Sequence, residues 1–172
     1  MITIREAGIE DAQNITHLLA TTFDQSFGHL FKDRNDLINY FESTFSLDKI
    51  RNSIAKKNNV YWMVFDKEKP VGYAKIQLNT TSEFIEHSVV CKLQRIYFLA
   101  DYNSKGIGST LQQLITEKAI ECQQKYIWLS VLKENEKAIR FYKKNYYKIV
   151  GEHPFSIGKE NFEFWVMSTK LT

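Results

Sequence analysis

The chain reads as a mixed α/β fold: a single sheet, mostly antiparallel, with helices on both faces and one parallel βαβ unit near its centre. Three observations predict this. Apolar stretches at 89–98 and 126–131 bracket an amphipathic helix, and a strand–helix–strand crossover makes its two strands parallel. Two compact apolar runs, 60–65 and 71–78, are split by the turn Lys67-Glu68-Lys69-Pro70 and read as an antiparallel hairpin. Between residues 11 and 54 the apolar residues fall at helical spacing instead.

The elements follow in order. Ile2 to Glu6 alternates as a first strand. Asp11 to Phe23 is helical through Ala12, Ile15, Leu18, Leu19 and Thr22, and Asp33 to Phe45 repeats the pattern with Leu37, Ile38, Phe41 and Phe45. Ser46-Leu47-Asp48 has the form of a helix cap, starting a short helix with Ile50 and Ile54. The hairpin comes next, then a polar loop from Asn79 to His87. After the strand at 89–98, Ile107, Leu111, Leu114, Ile115 and Ala119 make one helical stripe. Asn135 to Asn145 is a helix with Ala138, Ile139 and Phe141 inward, and Tyr147–Gly151 and Phe162–Thr169 are the closing strands.

The 172 residues predict one domain, 1–172, large enough for a substantial core. Apolar content of 44% and charged content of 25% are ordinary for a globular protein. A net charge of +3 without a dense Lys/Arg run argues against a nucleic-acid partner. Cys91 and Cys122 show no metal or redox spacing and read as reduced thiols. No apolar run approaches the roughly 18 residues of a membrane span, and the charged start is unlike a signal peptide. A cytoplasmic protein with no membrane partner, monomer or homodimer, is the expectation. His17, His29 and His153 show no partner pattern, and no metal motif appears.

The functional signal is the loop Asn103-Ser104-Lys105-Gly106-Ile107-Gly108, which runs from a strand directly into a helix. Glycines let backbone approach a ligand closely, and the free N–H groups of a first helical turn, with the helix dipole, favour a phosphate or pyrophosphate. A dinucleotide fingerprint would need a third glycine where Leu111 stands, and a P-loop would need Gly-Lys-Ser/Thr. By itself the loop is equally compatible with a plain strand-to-helix turn.

A second segment decides between these. Asn135-Glu136-Lys137-Ala138-Ile139-Arg140-Phe141-Tyr142 follows the strand ending Trp128-Leu129-Ser130-Val131. With both segments in this order, the chain resembles the GNAT superfamily of N-acetyltransferases. Asn103–Gly108 matches the family's Gln/Arg-x-x-Gly-x-Gly/Ala motif. Asn135, Ala138 and Tyr142 match its Asn-x-x-Ala and following Tyr. Residues 22–27, 40–45, 95–97 and 127–129 with Phe141–Lys144 are similar to bacterial polyamine N-acetyltransferases of the PaiA type. The resemblance implies a GNAT fold whose βαβ unit binds acyl-CoA, and acetyl transfer from acetyl-CoA to a primary amine such as spermidine or spermine. It also implies that Ile96, Tyr97, Phe98, Asn103, Ser104, Lys105, Gly106, Ile107, Gly108, Ser109, Asn135 and Lys144 hold the co-substrate, and that Tyr142 donates a proton to the leaving thiolate. A protein N-acetyltransferase and a weakly catalytic acyl-CoA-binding regulator are the alternatives.

Three positions depart from the family pattern. Asn103 replaces Gln or Arg, weakening one side-chain contact to pyrophosphate. Tyr146-Tyr147 replaces a Gly-Phe pair, making the helix end less favourable. Gln94 stands where relatives often carry glutamate, and an amide cannot act as a general base. An alkylamine titrates near about 10.4, so at pH 7 its deprotonation represents roughly 4–5 kcal/mol that the site must supply. Ordered water, strand carbonyls, or Glu83, Glu86 and His87 are the expected proton routes. For a polycationic acceptor, Asp24, Asp33, Asp36 and Glu42 are the expected acidic wall.

Overall fold

The computed structural model describes residues 1–172. Seven strands form one sheet in the order β1-β2-β3-β4-β5-β7-β6. They are β1 (Ile2–Glu6), β2 (Asn59–Asp66), β3 (Lys69–Gln77), β4 (Val90–Phe98), β5 (Tyr126–Leu132), β6 (Lys148–Ile157) and β7 (Glu160–Lys170). The five α-helices are α1 (Ala12–Phe27), α2 (Arg34–Thr44), α3 (Leu47–Ala55), α4 (Ile107–Glu121) and α5 (Glu136–Lys144). None is long and apolar enough to cross a membrane.

Helices start where the sequence places their caps. The Asp33 carboxylate accepts from Asn35 N–H, the Ser46 hydroxyl from Lys49 N–H and the Asn135 side chain from Ala138 N–H. Helix α1 runs four residues beyond Phe23, because Phe27 and Phe23 pack together with ring centroids 4.8 Å apart. The C-terminal hairpin is also longer than expected. Strand β6 reaches Ile157 and pairs through to Glu160, with Gly158 at φ +57 in the connection. Its outer residues are exposed, so burial left no apolar alternation to read.

The core has two halves. On one face, Ile107, Leu111, Ile115 and Ala119 of α4 and Tyr142 of α5 pack on Ala74, Ile76, Cys91, Leu93, Ile127 and Leu129. On the other, Ile15, Leu18 and Leu19 of α1 pack on Tyr61, Met63 and Tyr73.

All strand pairs are antiparallel except β4 with β5. That parallel ladder covers only Val90–Lys92 against Tyr126–Trp128. Beyond it β4 stays with β3 and β5 stays with β7 through Leu132. The parting starts at a bulge: Lys75 pairs with Arg95 and Ile76 with Leu93, leaving Gln94 as the extra residue. A bulge bends its strand and increases local twist. The wedge opened at Gln94 is the centre of the site.

Candidate active site

A cleft of about 620 Å³ fills the wedge. Its walls are β4 from Leu93 to Phe98, β5 from Leu129 to Leu132, the loop ahead of α4, the start and inner face of α5, and Ser26 to Leu30 at the end of α1.

At one end lies the anion cradle. Ser104 and Gly106 adopt left-handed backbone at φ +65 and +78, turning the chain into α4. Gly106 is the N-cap and no side chain caps the helix. The first-turn amides of Ile107, Gly108 and Ser109 therefore have no intrahelical acceptor and no side-chain partner. Asn103, Ser104, Gly106, Gly108 and Ser109 line the cleft. Ile107 turns its side chain into the core, leaving only its amide to the cradle. The Lys105 ammonium lies 5.0 Å from the Tyr102 ring centroid, and the side chains of Lys105 and Lys144 are not on the cleft wall.

The middle of the cleft is strand edge. Leu99 N–H donates to Val71 O, so by antiparallel alternation Tyr97 and Arg95 also turn their main-chain groups to β3. Ile96 and Phe98 turn theirs to the β5 side, where the ladder has ended. Phe98 is held by a close approach: a β-carbon at Gly72 would lie 2.5 Å from its ring. Side chains alternate, with Ile96 and Phe98 on the α4 face and Tyr97 on the α1 face.

Tyr142 stands at the parting of the strands, 8% exposed and lining the cleft. Phe141 and Tyr147 hold its ring edge-on, with centroids 5.4 and 5.5 Å away. Burial pushes its phenol well above the ordinary tyrosine value, so it stays protonated and can donate. Asn135 lines the cleft too. Its Oδ1 is occupied by the Ala138 amide, leaving its NH₂ free to donate inward. The Gln94 side-chain oxygen is buried without a hydrogen-bond partner, an orphaned acceptor in a residue of the cleft wall.

The acceptor side differs from expectation. Asp24 forms a bidentate pair with Arg34 at 2.7 Å on both bonds. Asp33 caps α2 and binds Lys159 at 3.1 Å, and Asp36 accepts from Lys159 N–H. Neither these three nor Glu42 lines the cleft, so no acidic wall forms. Three cations without a carboxylate partner lie on the α1 face of the sheet, each on an aromatic ring: Arg95 over Phe45, Lys75 over Tyr61 and Lys92 over Trp128; of these only Arg95 lines the cleft. Burial, then Arg95, pushes the Lys75 ammonium down to about 7. Glu83, Glu86 and His87 lie outside the cleft, and the His87 ring accepts from Val89 N–H.

His153, for which the sequence offers no partner pattern, is a satisfied histidine. Its Nε2 lies 2.8 Å from Ser130 Oγ, a residue of the cleft wall. The two are remote in sequence and meet only because β5 and β6 both flank β7, so no motif could reveal them. Ser26, His29, Leu30 and Phe164 join the wall from elements equally remote in sequence. No group of three His, Cys, Asp or Glu side chains is placed to hold a metal ion.

Comparisons with known proteins agree with this fold. The curated relatives include an uncharacterized N-acetyltransferase from Lactobacillus delbrueckii subsp. lactis, 24% identical over 161 residues and covering 92% of this chain and 91% of that protein. Among solved structures, the PaiA N-acetyltransferase of Thermoplasma acidophilum, in complex with coenzyme A, superposes with a TM-score of 0.75 at 18% identity, covering 99% of each chain. A probable acetyltransferase from Staphylococcus epidermidis superposes at 0.77 with 14% identity over the full length of both. The sequence model of the acetyltransferase (GNAT) family matches residues 15–146, spanning the cradle, the wedge and Tyr142. This chain belongs to the GNAT family of N-acetyltransferases.

Proposed function

We propose that this chain transfers acetyl from acetyl-CoA to a primary amine of a small molecule. The observation that carries the reading is the continuity of one cleft from the unpaired first-turn amides of α4, along the free edge of β4, to Tyr142 and the orphaned Gln94 oxygen. Acetyl-CoA supplies the acyl group as an activated thioester. The residues 103–109 cradle its diphosphate with backbone N–H groups. Ile96 and Phe98 bond the pantetheine arm as a strand would, and the Asn135 NH₂ adds a contact. A strand amide just after Arg95 donates to the thioester oxygen, a bond that strengthens as negative charge builds there. Tyr142 supplies the proton that the departing thiolate needs.

Polyamines are the acceptor class that the resemblance names. One observation favours a second class. Arg95 lines the cleft with its guanidinium over the Phe45 ring and no carboxylate partner. Its charge repels a polycation and attracts an amine that also carries a carboxylate. The test is thiol release from acetyl-CoA with spermidine against a series of carboxylate-bearing amines, alongside calorimetry with CoA. Turnover of either class supports the reading and selects the acceptor. CoA binding without turnover of any amine would leave a regulatory binder instead.

A further inference from the structure

We infer that Ser130 and His153 form the proton relay that deprotonates the acceptor amine, the role that Gln94 cannot fill. The inference rests on the acetyl-transfer reading above and completes it.

Position comes first. Ser130 lies on β5 two residues past Trp128, where the parallel ladder with β4 ends, so its hydroxyl borders the cleft beside the Gln94 bulge. An amine approaching a carbonyl held between these strands meets Ser130 Oγ on the face opposite α4 and Tyr142. The same face carries Trp128, Phe164 and Arg95. Acid and base then act from opposite sides of the sheet, as an addition that must both lose and gain a proton requires.

Chemistry comes second. His153 Nδ1 lies 3.1 Å from the carbonyl oxygen of Pro154, which can only accept. In the neutral ring Nδ1 therefore carries the hydrogen, and Nε2 turns its lone pair to Ser130 Oγ at 2.8 Å. Phe164 stacks on the imidazole with centroids 5.3 Å apart and planes 9° from parallel, fixing the ring in this orientation. A base oriented by a second acceptor and bonded to a hydroxyl is the arrangement that makes the hydroxyl a proton conduit.

The step balances. The ammonium of the acceptor gives one proton to Ser130 Oγ as Ser130 passes its own to His153 Nε2. The free amine then forms a C–N bond to the acetyl carbonyl carbon, and the C–S bond breaks. The tetrahedral adduct gives its second nitrogen proton to solvent water, Tyr142 protonates the thiolate sulfur and regains a proton from solvent, and His153 returns its own to solvent, so one proton is released per turnover. Serine acts here through its proton only and forms no ester.

The experiment compares Ser130→Ala and His153→Gln with wild type, using an alkylamine and an amine already neutral at the assay pH. His153→Gln keeps a polar side chain beside Ser130 but cannot take up a proton. With the alkylamine, kcat falls about a hundredfold in both variants while KM and CoA affinity hold. With the neutral amine the loss shrinks to a few-fold, a dependence that a merely structural role would not produce. In the wild type, ¹H–¹⁵N correlation of the imidazole finds the Nδ1–H tautomer. Alkylamine turnover unchanged in either variant, equal losses for both amines, or an Nε2–H tautomer overturns the relay. So does a matching loss confined to His29→Gln, the histidine that itself lines the cleft. If wild type turns over no amine at all, the acetyl-transfer reading fails with it. Activity that survives in the variants sinks the relay alone.

Discussion

Gly108 faces Phe141 across the mouth of the cradle: a β-carbon on Gly108 would stop 3.6 Å from that ring and 3.7 Å from Phe98, at ordinary van der Waals contact. Nothing in the protein itself demands glycine there. Gly108→Ala is therefore expected to stabilise the fold by about 0.5–1 kcal/mol, the usual gain for alanine in a helix. The added methyl stands between Phe98 and Phe141 in the cleft and weakens CoA binding. Denaturation and calorimetry on the same variant check the opposite signs.

Gly106 carries the converse expectation. A β-carbon there meets no atom within 4 Å, but its φ of +78 is left-handed. Gly106→Ala costs about 1–2 kcal/mol through backbone strain alone. A loss below about 0.3 kcal/mol in urea denaturation would contradict that account.

Tyr142→Phe removes the proton donor and keeps the edge-on packing against Phe141 and Tyr147. The expected result is a fall in kcat of at least about tenfold, with CoA affinity unchanged. Single-turnover thiol release measures it directly. The loss should be smaller for an acyl thioester whose thiolate leaves without help.

Tyr146 occupies the left-handed position that ends α5, at φ +69, with Tyr147 N–H bonded back to Tyr142 O. This is the glycine position of a helix C-cap, and the tyrosine is 84% exposed. Tyr146→Gly relieves strain without losing packing. A gain of about 1 kcal/mol, some 2–4 °C in Tm for a chain of this size, is expected by calorimetry.

Asp11 is 3% exposed and accepts two bonds from Arg5, at 2.8 and 2.9 Å, and one from Gly8 N–H. The Arg5 guanidinium holds its carboxyl below the ordinary carboxylate value, against the opposing effect of burial. A depressed folded value contributes stability that is fully present above the unfolded value of about 3.9 and is lost as pH falls through the folded one. Asp11→Ala costs about 1–3 kcal/mol at neutral pH, and the difference from wild type closes under acid conditions. Urea denaturation at pH 7 and at pH 2 checks both statements.

Much of this molecule is legible in the chain because local rules and folding agree. The apolar run 60–65, the caps Asp33, Ser46 and Asn135, and the stripe Ile107–Ala119 each encode an element within a few residues. The cradle is local too, so its glycines announce it. Tyr142 shares a helix with the Asn135 cap, and their spacing carries the information. The tertiary structure decided the rest, for one physical reason: the acceptor wall is made of side chains from strands and helices far apart in sequence. The bulge at Gln94 depends on pairing between β3 and β4. The bond between Ser130 and His153 needs β7 between their strands. Asp24, Asp33 and Asp36, polar and helical in sequence, spend their charge on Arg34 and Lys159 once the chain is folded. The unpartnered charge on the cleft wall comes instead from Arg95 of β4.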